Sequence, residues 1–379
     1  MPRLVIVVSH PIQYYAPLFR YLSRSLDLVV LYCAQPDSAL QGKDGFGIAF
    51  RWDVDLLDGY AHEFLENKAT HPSLSSFSGC DTPQIGAAIQ RLQATHVLIF
   101  GWYLKSYWQA YFHCLRHRIP MGVRGDSQEN PHENKQKKFL KRILYPLFVR
   151  RYHTIFYVGK RNLAYMRMMG ARNRQLVYSP HAIDQEFWKL QEEPKDKTGR
   201  RPVFLWVAKF IDKKRPHDVI DAFRMFTGNH ADAELWMVGT GPLLESCRDA
   251  CRDLPGVKFL GFKNQTELRA IYPRAHAIVL SSDYGETWGL VVNEAMSMGI
   301  PAIVSDACGC AEDMVDDGRT GFVYPLGNVH ALSDRMQQLF EQYKTPRWSE
   351  EGIRERCRIH SFQTIAKGIQ AFVGEEGTA

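Results

Sequence analysis

The 379-residue chain has no paired cysteine motif. Its eight cysteines, Cys33, Cys80, Cys114, Cys247, Cys251, Cys308, Cys310 and Cys357, are scattered without C-x-x-C spacing. Such scatter reads as free thiols in a reducing compartment and excludes a small disulfide scaffold. No apolar run approaches the roughly 18 residues of a membrane helix. The chain opens with only five apolar residues, Leu4 to Val8, before Ser9-His10-Pro11. That is a strand, too short for a secretory signal. Low-complexity tracts are also missing, and 45% hydrophobic against 23% charged residues is a globular composition. The expectation is a cytoplasmic protein of two domains.

Charge is uneven. Through Lys195 the chain carries 25 Lys and Arg against 16 Asp and Glu; the remainder carries 22 against 25. The positive surplus therefore lies wholly in the first half. Its densest part is Lys135, Lys137, Lys138, Lys141, Arg142, Arg150 and Arg151, with Leu140, Ile143, Leu144, Leu147 and Phe148 between them. The apolar spacing of three and four fits one helix face, with Pro146 a point at which it would kink or divide. Two readings stand. The helix packs its apolar stripe on its own sheet, or residues 135–151 lie against an anionic membrane surface. Nucleic acid is not expected as a partner, since no recognition module accompanies the charge.

Short apolar runs alternate with helical stretches along both halves. In the first, strands are expected at Arg3–Val8, Asp27–Cys33, Ala49–Leu56 (an edge), His96–Phe100, Pro120–Arg124, His153–Val158 and Gln175–Tyr178. Between them, helices are expected at Tyr14–Ser25, Thr82–Gln93, Ser106–Arg116 and through the basic run. Residues 189–200 are polar with Pro and Gly, a linker composition. The pattern then restarts, with strands at Val203–Val207, Glu234–Val238, Val257–Leu260, Ala275–Leu280, Pro301–Ser305 and Gly321–Val323 separated by helices. Alternation of this kind means an α/β fold with parallel sheets covered on both faces. Ligands in such sheets bind beyond the carboxyl ends of the strands. The expected domains are 1–195 and 196–355, with 356–379 a helical tail that could pack back on the first.

Three loops of the second half follow strands and carry chemistry. Ala208 to Pro216 is rich in cations; Lys209 and Lys214 could pair with a diphosphate. Gly239-Thr240-Gly241-Pro242 permits a tight turn and close backbone approach to a ligand. Leu244 breaks any G-x-G-x-x-G fingerprint, and a plain strand-to-helix turn explains it equally well. Ser281 to Leu290 opens a helix. The amides of Thr287, Trp288, Gly289 and Leu290 would favour an anion. Glu286 could accept from sugar hydroxyls, and Glu294, inside the helix, from a vicinal pair; otherwise Glu294 is a surface glutamate. An acidic pair flanking an anion site suits an anion attached to a polyol.

The run from Glu286 to Glu312, with Glu294, Gly299, Pro301 and Gly309 in order, resembles the E-x7-E region of family 4 glycosyltransferases. Lys209 and Lys214 stand where that family has Arg and Lys, Gly239 to Pro242 at its G-x-G-P turn, and Asp317-Gly318 to Gly321 at its continuation. Ser179-Pro180-His181 to Asp184 resembles the segment before its interdomain linker. The resemblance implies a GT-B architecture: two Rossmann-like domains facing across a cleft, the first on the acceptor side and the second holding a nucleotide-sugar. It implies retaining hexosyl transfer without metal or cofactor. Lys209, Lys214 and Glu286 would be catalytic. Gly239, Gly241, Glu286, Thr287, Trp288, Gly289, Leu290 and Glu294 would bind the donor. The opening Ser9-His10-Pro11-Ile12-Gln13-Tyr14 resembles a subset of bacterial surface-polysaccharide and lipopolysaccharide transferases. His10, Arg124 and Asp126 are the acceptor-side candidates, for a glycan or lipid-linked acceptor at the inner face of the plasma membrane. A sugar phosphorylase, a synthase with a soluble acceptor, and a non-catalytic nucleotide-sugar-binding protein are the alternatives.

Overall fold

The structure is a computed structural model that describes residues 2–35, 52–189, 201–344 and 349–374. Thirteen strands are found among them, and every pairing is parallel. The first seven are β1 (Arg3–Val8), β2 (Asp27–Tyr32), β3 (Ala61–Phe64), β4 (His96–Ile99), β5 (Met121–Gly125), β6 (Thr154–Tyr157) and β7 (Leu176–Tyr178). They form one sheet in the order β3-β2-β1-β4-β5-β6-β7. The next six are β8 (Val203–Val207), β9 (Glu234–Val238), β10 (Val257–Gly261), β11 (Ala277–Leu280), β12 (Ala302–Ser305) and β13 (Gly321–Tyr324). They form a second sheet in the order β10-β9-β8-β11-β12-β13.

Both orders reverse direction beside the first strand of their sheet, the switch point of a doubly wound fold. The central strands β1, β4, β8, β11 and β12 are near-continuous apolar runs with both faces buried. Parallel strands covered by helices require that pattern, in place of simple alternation.

The chain falls into two compact units, one around each sheet. The described residues Trp52 and Asp53 belong to the second unit; after β7 the chain enters that unit at His181–Ala182 and returns to the first at Ser361–Phe362. The sequence reading put these crossings at 195–196 and 355–356. The difference has a packing cause. The Trp188 ring lies 5.6 Å from Tyr272, and the Gln185 amide donates to the carbonyls of Cys357 and His360. Residues 190–200 of the expected linker lie outside the described residues.

Other elements move by one to three residues, and some differ in kind. The edge strand expected at Ala49–Leu56 is absent from its described part, 52–56. The sheet edge is β3, where Val29 to Tyr32 pair with Ala61 to Phe64. Pro146 does not divide the basic helix, which runs Lys135–Val149 with the Asn134 side chain accepting from the amides of Gln136 and Lys137. The helices Lys160–Met168, Val329–Lys344 and Glu350–Arg358 are additional. No helix among the described residues is long and apolar enough to cross a membrane.

The last helix, Phe362–Gly374, belongs to the first unit and buries Phe362, Ile365, Ala366, Ile369, Phe372 and Val373. Phe372 meets His96 at 5.1 Å and Phe156 at 5.8 Å, both edge-on. Phe372→Ala removes a fully enclosed ring and is expected to cost about 3–4 kcal/mol. Urea unfolding of the full chain reads it; an unchanged midpoint would show that this helix does not close the first core.

Candidate active site

At the carboxyl ends of β8, β9, β11 and β12 four loops of the second unit are tied into one body by hydrogen bonds. The loop after β8 is held to β11's loop twice: the Asp283 amide donates to the Lys213 carbonyl at 2.9 Å, and the Ser281 hydroxyl to the Lys214 carbonyl at 2.7 Å. The Phe210 amide reaches the Thr240 carbonyl after β9 at 3.0 Å. The Gly309 amide, after β12, reaches the Glu286 carbonyl at 3.0 Å, and Cys310 reaches that of Trp288 at 3.2 Å. Glu286 itself sits in a turn closed by its amide on the Asp283 carbonyl.

The two glycines after β9 have a structural cause. Gly239 and Gly241 sit at φ of 136° and 154°, which side-chain-bearing residues rarely adopt. A Cβ at Gly239 would stand 1.9 Å from the Ala208 carbonyl oxygen, and one at Gly241 2.5 Å from that of Phe210. The backbone they admit is that of the lysine loop. Gly289, at φ 109°, is needed similarly: a Cβ there would meet the Leu280 side chain at 2.4 Å. It opens the helix Leu290–Ser297, and the Trp288 indole N–H, buried beside it, donates to Asn293 at 2.8 Å.

Three lysines crowd this loop body. Burial, then repulsion from Lys214 and Lys213, lowers the ammonium pKa of Lys209. Lys214 is ion-paired to Glu286, with both side chains mostly enclosed. An anion bound here relieves the lysine repulsion, and competes with Glu286 for Lys214. The sequence reading thus places Lys209, Lys214 and Glu286 on neighbouring loops, and the structure brings Lys214 and Glu286 into direct contact.

Glu294 is 1% exposed, so it is no surface glutamate. Its carboxylate accepts from the buried Tyr272 hydroxyl at 2.6 Å. A buried carboxylate needs such donors, since desolvation otherwise penalises its charge. Tyr272 was not foreseen. It lies 22 residues upstream in a segment without motif character, and only the fold brings it to Glu294.

The three first-unit candidates separate. Arg124 is 3% exposed. Its guanidinium donates to the Ser179 hydroxyl and to the Ser179 and Pro180 carbonyls at 2.9–3.3 Å, and lies over the Tyr15 and Phe100 rings. That is a clamp on the turn after β7. Asp126 keeps nearly half its side chain exposed, 3.6 Å from the His181 imidazole. His10, just beyond β1, bonds Ser9 Oγ through Nδ1 at 2.9 Å. Burial pushes its pKa down to about 4. No group of three or more His, Cys, Asp or Glu among the described residues is placed to hold a metal ion.

The loop body falls within a recognised region. Residues 189–356 match the family model for glycosyl transferases group 1. The glycogen synthase of Mycobacterium tuberculosis is 28% identical over 203 residues, 52% of this chain and 48% of that protein. The lipopolysaccharide 1,6-galactosyltransferase of Salmonella typhimurium is 28% identical over 185 residues, 47% of this chain and 49% of that protein. The chain thus spans about half the length of these curated relatives. Among solved structures, Anabaena HepE in complex with UDP and glucose superposes with a TM-score of 0.72 at 14% identity, covering 99% of this chain and 100% of that one. The fold is GT-B, with two Rossmann-like domains.

Two predictions follow from this geometry. Arg124→Met leaves the Ser179–Pro180 turn without its donors and is expected to cost about 2–3 kcal/mol in urea unfolding; wild-type stability would remove the clamp. For His10 the unfolded chain takes up a proton near pH 6.5 while the folded chain resists until about 4. Stability is therefore full above pH 6.5 and is lost as pH falls toward 4, by roughly 2 kcal/mol after allowance for solvent access. His10→Gln, uncharged throughout, should flatten that part of the stability profile; an unchanged slope would assign it to other groups.

Proposed function

We propose that the protein is a retaining glycosyltransferase that moves a sugar from a nucleoside-diphosphate sugar to a glycan or lipid-linked acceptor in surface-polysaccharide biosynthesis. The observation that carries the reading is the half-buried cluster of Lys209, Lys214 and Glu286 at the carboxyl ends of a parallel sheet, inside the matched region. Support for the donor class comes from HepE, whose structure holds UDP and glucose. Support for the acceptor class comes from the lipopolysaccharide galactosyltransferase; the match to glycogen synthase supports a glycan acceptor of the soluble kind equally.

In this reading Lys209 and Lys214 hold the donor's diphosphate. The bond from the anomeric carbon to the diphosphate oxygen breaks as the acceptor hydroxyl oxygen bonds to that carbon on the same face, and the departing diphosphate oxygen takes the hydroxyl proton. The lysines meet charge where it develops, which is the largest source of stabilisation available to such a site. As the diphosphate takes Lys214, Glu286 turns to the sugar hydroxyls. Glu294, oriented by Tyr272, serves the ribose. The amides of Thr287 to Leu290 and the turn at Gly239 and Gly241 complete the donor site. We place His10 and Asp126 on the acceptor side; Arg124 holds the Ser179–Pro180 turn that precedes His181. No metal and no cofactor is assigned a role, and the working place is the cytoplasmic side of the membrane.

Calorimetric titration with UDP, GDP and ADP, then with the matching sugar donors, tests this. One nucleotide should bind with clear preference, and Lys214→Ala and Glu294→Ala should each weaken it by roughly 1–3 kcal/mol. Folded protein that binds none of them would sink the donor reading.

A further inference from the structure

The basic helix Lys135–Val149 is apolar on two faces, and the fold uses only one. Tyr145 and Phe148 are partly buried and Val149 fully. The Phe148 ring packs edge-on against Trp108 at 4.9 Å, and the Tyr111 hydroxyl donates to the Phe148 carbonyl. This is the face that docks on the first unit. The other face holds Phe139, Leu140, Ile143, Leu144 and Leu147, which are 66, 54, 52, 45 and 69% exposed. At 3.6 residues per turn these five share one sector of about 140°. Lys137 borders that sector on one side, and Lys135 and Arg142 on the other. The expectation that the apolar stripe packs on its own sheet is therefore corrected for Leu140, Ile143, Leu144 and Leu147 and holds for Phe148.

Five adjacent large apolar side chains, each at least 45% exposed, form a patch that a monomeric soluble surface rarely carries. The charges select what covers it. Lys138 and Lys141 are paired with Glu129 and Glu133, and Lys137 lies 4.0 Å from Glu133 while staying largely exposed. Lys135, Arg142, Arg150 and Arg151 have no acidic partner among the described residues, whether along the sector's edge or at the helix end. Protein interfaces are depleted in lysine at their cores. An aliphatic and phenyl stripe rimmed by lysine and arginine instead matches the layering of a bilayer surface, with acyl chains inward and anionic headgroups level with the cations.

We propose that the helix Lys135–Val149 is an interfacial anchor that seats the first unit on an anionic lipid surface, with Phe139, Leu140, Ile143, Leu144 and Leu147 entering the acyl region. The surface would bring a lipid-linked acceptor to the unit that carries it. The anchoring is argued without the donor reading, and it is measured without any sugar donor, so either can fail alone.

The test is co-sedimentation of the full chain with vesicles of phosphatidylcholine alone and of phosphatidylcholine mixed with phosphatidylglycerol. Binding is expected to the mixed vesicles, weakening as salt is added. The double variant Phe139→Ser, Leu147→Ser should lose more than about tenfold in affinity. Lys135→Gln and Lys137→Gln should each lose roughly fivefold, and on mixed vesicles only. All these side chains are largely exposed, so unchanged thermal unfolding certifies the variants. Absence of binding, or equal binding to both vesicle types, overturns the proposal. So does self-association of the wild type that the double variant abolishes, which would assign the face to a second copy.

Discussion

The candidate site depends on hydrogen bonds between loops, and above all on the pair that ties the lysine loop to the loop after β11. The amide of Asp283 and the hydroxyl of Ser281 hold the carbonyls of Lys213 and Lys214. Neither bond involves a functional side chain. Together they fix where the Lys214 ammonium leaves the backbone, and hence its meeting with Glu286, 72 residues away in the chain. Geometry set by backbone bonds is harder to shift than geometry set by long side chains, whose rotamer freedom has to be frozen out.

Close packing of the same loops explains residues that a ligand was first invoked to explain. Gly239 and Gly241 leave room for the Ala208 and Phe210 carbonyls, so their presence is required before any donor is considered. Their effect on the lysine loop is steric: without them it could not lie against the turn after β9. Glu294 and Tyr272 show the same economy. The tyrosine hydroxyl satisfies one carboxyl oxygen where the side chain is enclosed, which holds that group at a fixed point on the helix.

Strand positions were legible because parallel strands covered on both faces must be short apolar runs, and all the runs from Val203 to Val323 lie where strands are found. The edge strand failed for the complementary reason. Ala61 to Phe64 is only partly buried and reads Ala-His-Glu-Phe, so nothing in its composition marks it, while pairing with β2 creates it. The helices Val329–Lys344 and Glu350–Arg358 carry mixed polar sequences whose burial is decided by neighbours. At the site, the lysines and Glu286 were visible as residue types at loop positions, and Glu294 as a residue inside the helix that follows. Tyr272 was not, and Ser281 was visible only as the start of its loop, because their importance lies in partners far away in sequence.

The basic helix marks the sharpest limit of periodicity. Apolar residues spaced by three and four show that a helix has an apolar face, but not which surface that face meets. Here Phe148 and Val149 already provide the docking contact, so the stripe from Phe139 to Leu147 adds nothing to the core. Leaving five such side chains in water incurs the hydrophobic penalty that folding normally removes. Among the described residues the core is complete without them, and the lipid surface proposed above would restore the balance. The cations at the rim give that surface its sign.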